Sequence, residues 1–319
     1  MIVIFITIFL FLIYTILILY FRQSWKQIPI FEVDPIQNLT APQTTISIII
    51  PARNEEANIG KCLSSIMDQS YPKNLFEVIV ADDFSTDGTA NIVKSYSNKN
   101  ISLIYLKDFT NGEALNSYKK KAIEIAITKA KGDLIVTTDA DCITPPTWLQ
   151  TIDSFYQKYN PAFIAMPVAY HHENNFLKIF QSLDFMTLQG ITGASVYKKF
   201  LNMCNGANLA YEKKAFAEVN GFKNIDSIAS GDDMMLMQKI YEQYPQRVLF
   251  LKSTNAIVQT HPMETLKDFL NQRIRWASKS DKYADKKIIG VLLVVYLLNV
   301  CKLFVFSFLL KRNYRTRIF

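Results

Sequence analysis

Histidine, cysteine and glycine are all scarce in this chain of 319 residues, which holds 3, 4 and 10 of them. The cysteines, Cys62, Cys142, Cys204 and Cys301, form no Cys-x-x-Cys pair and no short metal spacing. That argues against zinc ribbons and thioredoxin-like redox motifs, and in a cytoplasmic domain the four thiols are expected to be reduced. His171 and His172 are adjacent, which suits a solvated loop better than a zinc site. Glycine is missing from Pro51 to Asn58, after the first apolar run of the middle region. A loop that cradles a triphosphate at a helix N-terminus needs glycine there, so a sugar-phosphate nucleotidyltransferase fits poorly. Charge is missing altogether from Met1 to Phe21. No basic residue precedes that run and no small-residue cleavage site follows it, so it reads as a retained anchor and not a signal peptide. Internal repeats and low-complexity tracts are absent too.

Apolar residues make up 50% and charged residues 20% of the chain. These are ordinary globular values, but the apolar excess sits at the two ends. As a helix, Met1 to Phe21 would span roughly 30 Å, one hydrocarbon thickness. Ile288 to Leu310 is a second apolar run, interrupted by Asn299 and Lys302. A charge at mid-depth is costly, so a membrane helix, a re-entrant hairpin and a buried amphipathic helix all stay open. The net charge of +7 is not a nucleic-acid signal, because the basic residues gather beside these runs. Arg22 and Lys26 follow the first; Lys282, Lys286 and Lys287 precede the second. The positive-inside rule then places the middle of the chain on the cytoplasmic face of the cell (inner) membrane. One further crossing would put Lys311, Arg312, Arg315 and Arg317 outside, against the same rule. Either the last run is re-entrant or a further helix is lacking.

These patterns divide the chain into a transmembrane helix (1–21), a proline-punctuated linker (22–44), a large α/β domain (45–263), an amphipathic helix (264–287), the second apolar segment (288–310) and a basic tail (311–319). In the α/β domain, short β-branched runs alternate with helical spacing. Strands are expected at Ile46–Ile50, Phe76–Ala81, Ile101–Leu106 and Leu134–Thr138. Helices are expected at Asn58–Gln69, Thr86–Tyr96 and Tyr118–Lys131. Alternation of this kind means a mostly parallel sheet flanked by helices. Ligands of such sheets bind beyond the carboxyl ends of the strands. Further on, Pro145–Tyr159 and Met234–Tyr244 read as helices and Ala162–Val168 as a strand. Phe176 to Met203, broken by Gly190 and Gly193, reads as separate segments near the membrane face. Met263 to Ser280 places Leu266, Phe269, Leu270 and Ile274 on one helical face.

Three acidic clusters and one aromatic-basic cluster carry the chemistry. Asp82 and Asp83 follow a buried strand; one carboxylate there can accept a base N–H, although helix capping is the plainer use of such residues. Asp139 and Asp141 follow another strand, and alternation puts them on one side. Two such carboxylates repel unless a cation or proton joins them, and Mg²⁺ takes one or two carboxylates plus substrate phosphates. Asp232 and Asp233 open a helix, where one can cap and the other can take a proton. Gln272, Arg275 and Trp276 share one helix; such residues can grip a diphosphate and stack on a sugar, or simply anchor at a membrane interface.

Taken together these residues resemble the family 2 inverting glycosyltransferases, in their membrane-anchored cellulose- and hyaluronan-synthase-like branch. The resemblance covers about Ile46 to Ser280 and implies a GT-A-type fold. Pro51, Arg53, Asn54 and Glu55 are similar to that family's first strand-end turn. Asp82 to Thr89 is similar to its Asp-Asp-x-Ser-x-Asp-Gly-Thr signature, with Asp83 on the nucleoside base. Asp139 and Asp141 match its Asp-x-Asp, which implies Mn²⁺ or Mg²⁺ and a nucleotide contact from Asp139. Gly206, Ala207 and Asn208 look like its acceptor-side loop. Asp233, with Asp232 beside it, falls at its catalytic base. Gln272, Arg275 and Trp276 match its Gln-x-x-Arg-Trp signature for donor diphosphate and acceptor. Two departures stand out. The Gly112 to Lys121 segment is less Gly- and Lys-rich than usual, and Lys120 is taken there as a nucleotide contact. The membrane region is shorter than processive members carry. The resemblance implies transfer of a sugar from a nucleotide donor, UDP favoured, to a lipid-linked or polysaccharide hydroxyl, with membrane lipid as a partner and no nucleic acid. A non-catalytic membrane subunit that binds a nucleotide sugar or a partner is the alternative.

Overall fold

A computed structural model describes residues 2–33, 42–96, 100–110, 117–171, 174–225, 231–278 and 286–315. Parts of the linker, of the Gly112–Lys121 segment and of the basic tail, together with His172 and Lys282, lie outside the described residues.

The first apolar run is a helix, α1 (Ile2–Gln27). The α/β domain then alternates β1 (Ile46–Ala52), α2 (Ile59–Met67), β2 (Phe76–Asp82), α3 (Thr89–Ser95), β3 (Ile101–Tyr105), α4 (Lys107–Thr110), α5 (Tyr118–Lys129) and β4 (Leu134–Thr137). There follow α6 (Trp148–Tyr159), β5 (Phe163–Ala165), β6 (Val168–Tyr170), α7 (Phe176–Tyr197), β7 (Leu209–Glu212), α8 (Lys213–Glu218) and α9 (Asp232–Gln243). Next come β8 (Val248–Phe250), β9 (Val258–Thr260), α10 (Leu266–Ala277) and α11 (Lys286–Arg315).

Seven strands form one sheet in the order β3-β2-β1-β4-β7-β5-β8. Only β7 runs against its neighbours. A two-stranded parallel ribbon, β6 with β9, lies apart. The period of two along the central strands explains their solidly apolar composition. Ile46, Ile48 and Ile50 of β1 enter one core layer with Val78, Val80 and Val136, while Ile49, Ile79 and Ile135 enter the other. Both faces are therefore buried, as a parallel sheet requires. β1, β2 and β4 end side by side, with Ala52 in register with Asp82 and the Asp83 amide donating to the Ala52 carbonyl at 2.8 Å. The acidic clusters begin where these strands stop.

Three expectations change. Phe176 to Tyr197 is one continuous helix and not separate segments. Its glycine at 193 is a contact point: a Cβ there would lie 2.7 Å from Trp25 and 2.8 Å from Phe250, so only glycine lets α7 approach α1 and β8 this closely. The second apolar run is likewise one helix, α11, without the turn that a re-entrant hairpin needs. On α10 the apolar residues divide between two faces: Phe269 is buried, while Leu266, Leu270 and Ile274 are exposed.

α1 packs against α7 and α11. Phe21 near the end of α1 and Ile288 near the start of α11 share a small apolar cluster with Ala194 and Leu201. Much of the rest of α1 is bare: Phe5, Phe9 and Ile16 are each more than half exposed, although Leu10 is buried. Val3–Gln27 and Lys287–Val305 are long and apolar enough to cross a membrane.

Candidate active site

The Asn54–Asn58 turn after β1 is zipped to the loop after β2. Asn54 adopts φ 56°, a left-handed conformation that asparagine tolerates better than most residues. Its side-chain oxygen accepts from the Thr86 amide at 2.8 Å, and the Glu55 amide donates to Thr89 Oγ1 at 2.8 Å. Glu56 accepts from the Gly88 amide at 2.8 Å. Asn54 is therefore a strut between the two loops. Arg53 stands at the open side, its Nη1 3.8 Å from Asp83 Oδ2.

The loop after β2 is strained as well as pinned. Phe84 has φ 55°, a conformation that costs on the order of 1–3 kcal/mol in a bulky residue. Its ring is held edge-on against Tyr118 at 5.7 Å. Asp82 Oδ2 accepts from the Ser85 amide at 3.3 Å, which braces the loop and caps no helix, since α3 starts at Thr89. Asp83 does not cap. Its Oδ1 is buried without a hydrogen-bond partner, as is Oδ1 of Asp82. Burial raises the Asp83 pKa above the ordinary carboxylate range; Arg53 opposes the shift and Asp82 adds to it. A buried acceptor with no donor is a group that a ligand N–H can complete.

Asp139 to Cys142 is a tight turn, closed by the Cys142 amide on the Asp139 carbonyl at 3.2 Å, and not an extended segment. Asp139 and Asp141 nevertheless both act on the charge of Glu55. The Glu55 pKa is raised, first by burial and then by Asp141 and Asp139, while Asn58 opposes. Asp141 Oδ2 accepts from Thr260 Oγ1 at 2.9 Å and Asp139 Oδ1 accepts from Lys119 Nζ at 2.7 Å. Among the described residues no group of three or more His, Cys, Asp and Glu side chains forms a closed metal cage. Two hard carboxylates from one turn, of which Asp141 meets only a neutral hydroxyl at Oδ2 and a thiol at Oδ1, suit a cation that also draws oxygens from a diphosphate.

Lys119, not Lys120, supplies the ammonium of this cleft. Burial works against its charge, yet Asp139, then Asp232 and Asp233, raise its pKa and hold it protonated. Lys120 is buried, and its Nζ donates to the Ile225 carbonyl at 2.6 Å. One step along a helix turns a side chain by about 100°, which separates the two lysines completely.

α9 begins at Asp232. Asp233 Oδ2 accepts from the Gly206 amide at 2.9 Å and Oδ1 from the Met234 amide at 2.8 Å. The Gly206 loop thus fixes the orientation of Asp233. Asp233 shares the small cleft floor with Pro51, Lys119, Thr137 and Asp232. Ala207 is buried in the core. Asn208 is also fully buried, and its side chain is committed internally. Nδ2 donates to the carbonyls of Pro167 at 2.7 Å and Ala256 at 2.8 Å, and Oδ1 accepts from Trp148 Nε1 at 3.1 Å. The structure does not bring its side-chain polar atoms to the open cleft.

α10 presents Phe269, Gln272, Arg273 and Trp276 inward, and Arg275 is exposed. The structure does not bring Arg275 to the other site residues; Arg273 takes the inward place. Its Nη2 pairs with Asp184 Oδ2 at 2.5 Å, its guanidinium lies 4.3 Å over the Trp276 ring, and its Nε and Nη1 are buried without partners. The Tyr170 pKa is raised first by burial, against the lowering by Arg273 and Gln272, with Asp184 and Asp141 also raising it. Tyr170 thus feels charges from both α10 and the Asp141 turn. Nothing in the sequence singled out Lys119, Arg273, Tyr170 or Thr260. A residue-by-residue helical register could have found the first two; the last two lie on the β6–β9 ribbon, which only the tertiary fold assembles. His171 stacks edge-on with His261 at 4.1 Å, a pairing across the same ribbon.

A family model described as "Glycosyl transferase family 2" matches residues 47–219, and one described as "Glycosyl transferase family group 2" matches residues 134–316. The chain is 25% identical to glycosyltransferase AglE of Haloferax volcanii over 238 residues, covering 74% of this chain and 73% of AglE. It is 26% identical to the probable glycosyltransferase YdaM of Bacillus subtilis, covering 77% of this chain but only 57% of YdaM. Among solved structures, the mannosyltransferase PcManGT of Pyrobaculum calidifontis, in complex with GDP-Man and Mn²⁺, superposes with a TM-score of 0.68. That match is 17% identical and covers 98% of this chain and 92% of the other, so it speaks for the fold.

Proposed function

The chain belongs to glycosyl transferase family 2 and is a glycosyltransferase, and from that premise we propose that it works at a membrane surface, moving a sugar with inversion from a nucleotide donor to a lipid-linked or glycan hydroxyl. The observation that carries this reading is the meeting, at the carboxyl edge of β1, β2 and β4, of carboxylates from three separate parts of the sequence: Asp83, the Asp139–Asp141 turn and Asp233.

Each has a distinct task in the proposal. Asp83 accepts the ring N–H of the base, with Arg53 at the rim. A uracil imide is the favoured partner, although guanine also offers an N–H. Asp141 and Asp139 would hold Mn²⁺ or Mg²⁺, which neutralises a diphosphate leaving group. Lys119 occupies the space between Asp139 and Asp233 and places a positive charge beside the departing phosphates. Arg273, with two buried N–H groups to give, serves them from the opposite side. Asp233, oriented by Gly206 and Met234, takes the proton of the acceptor hydroxyl as that oxygen attacks the anomeric carbon. Attack from the face opposite the diphosphate inverts that centre. α1 and α11 hold the domain at the membrane, with the domain on the cytoplasmic side.

Replacement of Asp233 by Asn tests the assignment. Loss of a general base lowers turnover by about 10²–10⁴-fold. Nucleotide binding, measured by titration with UDP and GDP, should stay within twofold or so, because Asp83 is untouched. Turnover at the parental rate would remove Asp233 from the mechanism.

A further inference from the structure

A cavity of about 810 Å³ lies between the second half of α1, α7 and the β6 end of the ribbon. Its volume falls in the range of roughly 300–1,000 Å³ typical of ligand sites. Its walls are mostly apolar, with Phe21, Trp25, Ile179, Leu183 and Met186 among the lining residues. An unfilled void of this kind forfeits packing contacts along its whole lining. Ile179, Leu183 and Met186 are exposed as well as cavity-lining, so the cavity opens outward there. The opening is continuous with the bare apolar surface of α1. The single exposed cation in the wall is Arg22, the first charged residue after the apolar run, and it stands where a lipid phosphate would lie. Ser253, also in the wall, has a buried hydroxyl without a partner.

The inner end of the cavity meets the candidate active site. Tyr170 and Phe185 line it. Their rings are stacked at 4.5 Å, and Phe185 lies 6.3 Å from the Trp276 ring. Tyr170 also feels the charges of Arg273 and Asp141. We propose that this cavity takes a hydrocarbon chain of an anionic membrane lipid and thereby presents a lipid-borne acceptor hydroxyl to the cleft; the second half of that statement rests on the transferase reading above.

Gly190 provides the test. It lines the cavity, and a Cβ added there meets no atom within 4 Å. A large side chain at this position fills space without a backbone clash. The full chain is placed in phosphatidylcholine nanodiscs doped with a phosphatidylglycerol carrying a mid-chain diazirine, then irradiated and mapped by mass spectrometry. Labelling is expected on Leu183 to Gly190 and on Phe21 to Trp25. In Gly190→Phe, and in Met186→Trp at an exposed wall residue, that labelling falls about tenfold through lost chain burial. Labelling of the bilayer-facing Phe5 to Ile16 stretch stays the same and controls for folding and insertion. Cavity labelling no higher than that control, or unchanged in both variants, overturns the proposal. Release of nucleoside diphosphate by the unmodified sample is read in parallel. Labelling without release removes the acceptor role, and release without labelling removes the cavity.

Discussion

Asn208 separates structure from catalysis more sharply than any other site residue. The sequence motif places it in an acceptor-side loop, whereas the fold buries it fully and gives its side chain three internal partners. In Asn208→Ala the Pro167 carbonyl keeps one donor, the Val258 amide at 3.3 Å. The Ala256 carbonyl and the Trp148 indole N–H lose theirs, and Trp148 is itself fully buried. Each orphaned buried group costs about 1–3 kcal/mol, so the variant should lose roughly 2–6 kcal/mol, a large share of the 5–15 kcal/mol that holds a domain together. For a domain of this size that corresponds to a melting temperature lower by roughly 4–24 °C. Thermal melting of the detergent-purified protein, followed by tryptophan fluorescence, reads the effect directly. Activity of whatever fraction remains folded should be close to normal per folded molecule. A variant that melts like the parent but has lost turnover would refute this reasoning and restore Asn208 to the acceptor site.

Four further outcomes follow from the same geometry. Arg273→Ala should lower turnover by about tenfold or more through the loss of a charge-assisted contact, while Arg275→Ala should change it less than twofold or so at an exposed position; steady-state kinetics of the pair decide between them. Lys119→Met should impair turnover with little change in melting, whereas Lys120→Met should lose about 1.5–3 kcal/mol as the Ile225 carbonyl gives up its charged donor. Because burial raises the Asp83 pKa in the fold, its ionisation opposes folding: the stability associated with its protonated form is present at acid pH and is lost as pH rises through the raised value. Asp83→Asn should therefore be more stable than the parent at neutral pH, less distinguishable from it at acid pH, and deficient in nucleotide binding, all measurable by melting and titration across pH. Gly193→Leu should loosen α7 from α1, since its Cβ would collide with Trp25 and Phe250; faster proteolysis in the α7 segment would report it.

The central strands were legible because a strand buried on both faces is apolar at most positions: Ile46–Ile50 departs only at Ser47, Phe76–Ala81 only at Glu77, and Leu134–Thr138 only at its two closing threonines. The acidic clusters were legible because carboxylates appear directly where an apolar strand ends, as Asp82 and Asp83 do at the end of β2. What failed to show was everything decided by orientation about a helix axis or by packing against distant residues. Lys119 and Lys120 are chemically identical neighbours, and only the packing of α5 tells which faces the cleft. Arg273 and Arg275 differ in the same way on α10. Gly190 and Gly193 looked like breaks in a helix because glycine weakens helices, yet Gly193 is there to admit Trp25 and Phe250. Asn208 looked like a ligand contact because its partners, Trp148, Pro167 and Ala256, are scattered across the chain.

The most direct test of the account is a donor screen. Full-length protein in detergent with Mn²⁺ is offered UDP- and GDP-sugars in turn, and release of nucleoside diphosphate is read. The account predicts release from one nucleotide class, abolished by EDTA and by Asp141→Ala. Undiminished release from the Asp141→Ala protein, or none from any donor by a cooperatively melting parent protein supplied with membrane lipid, would contradict it.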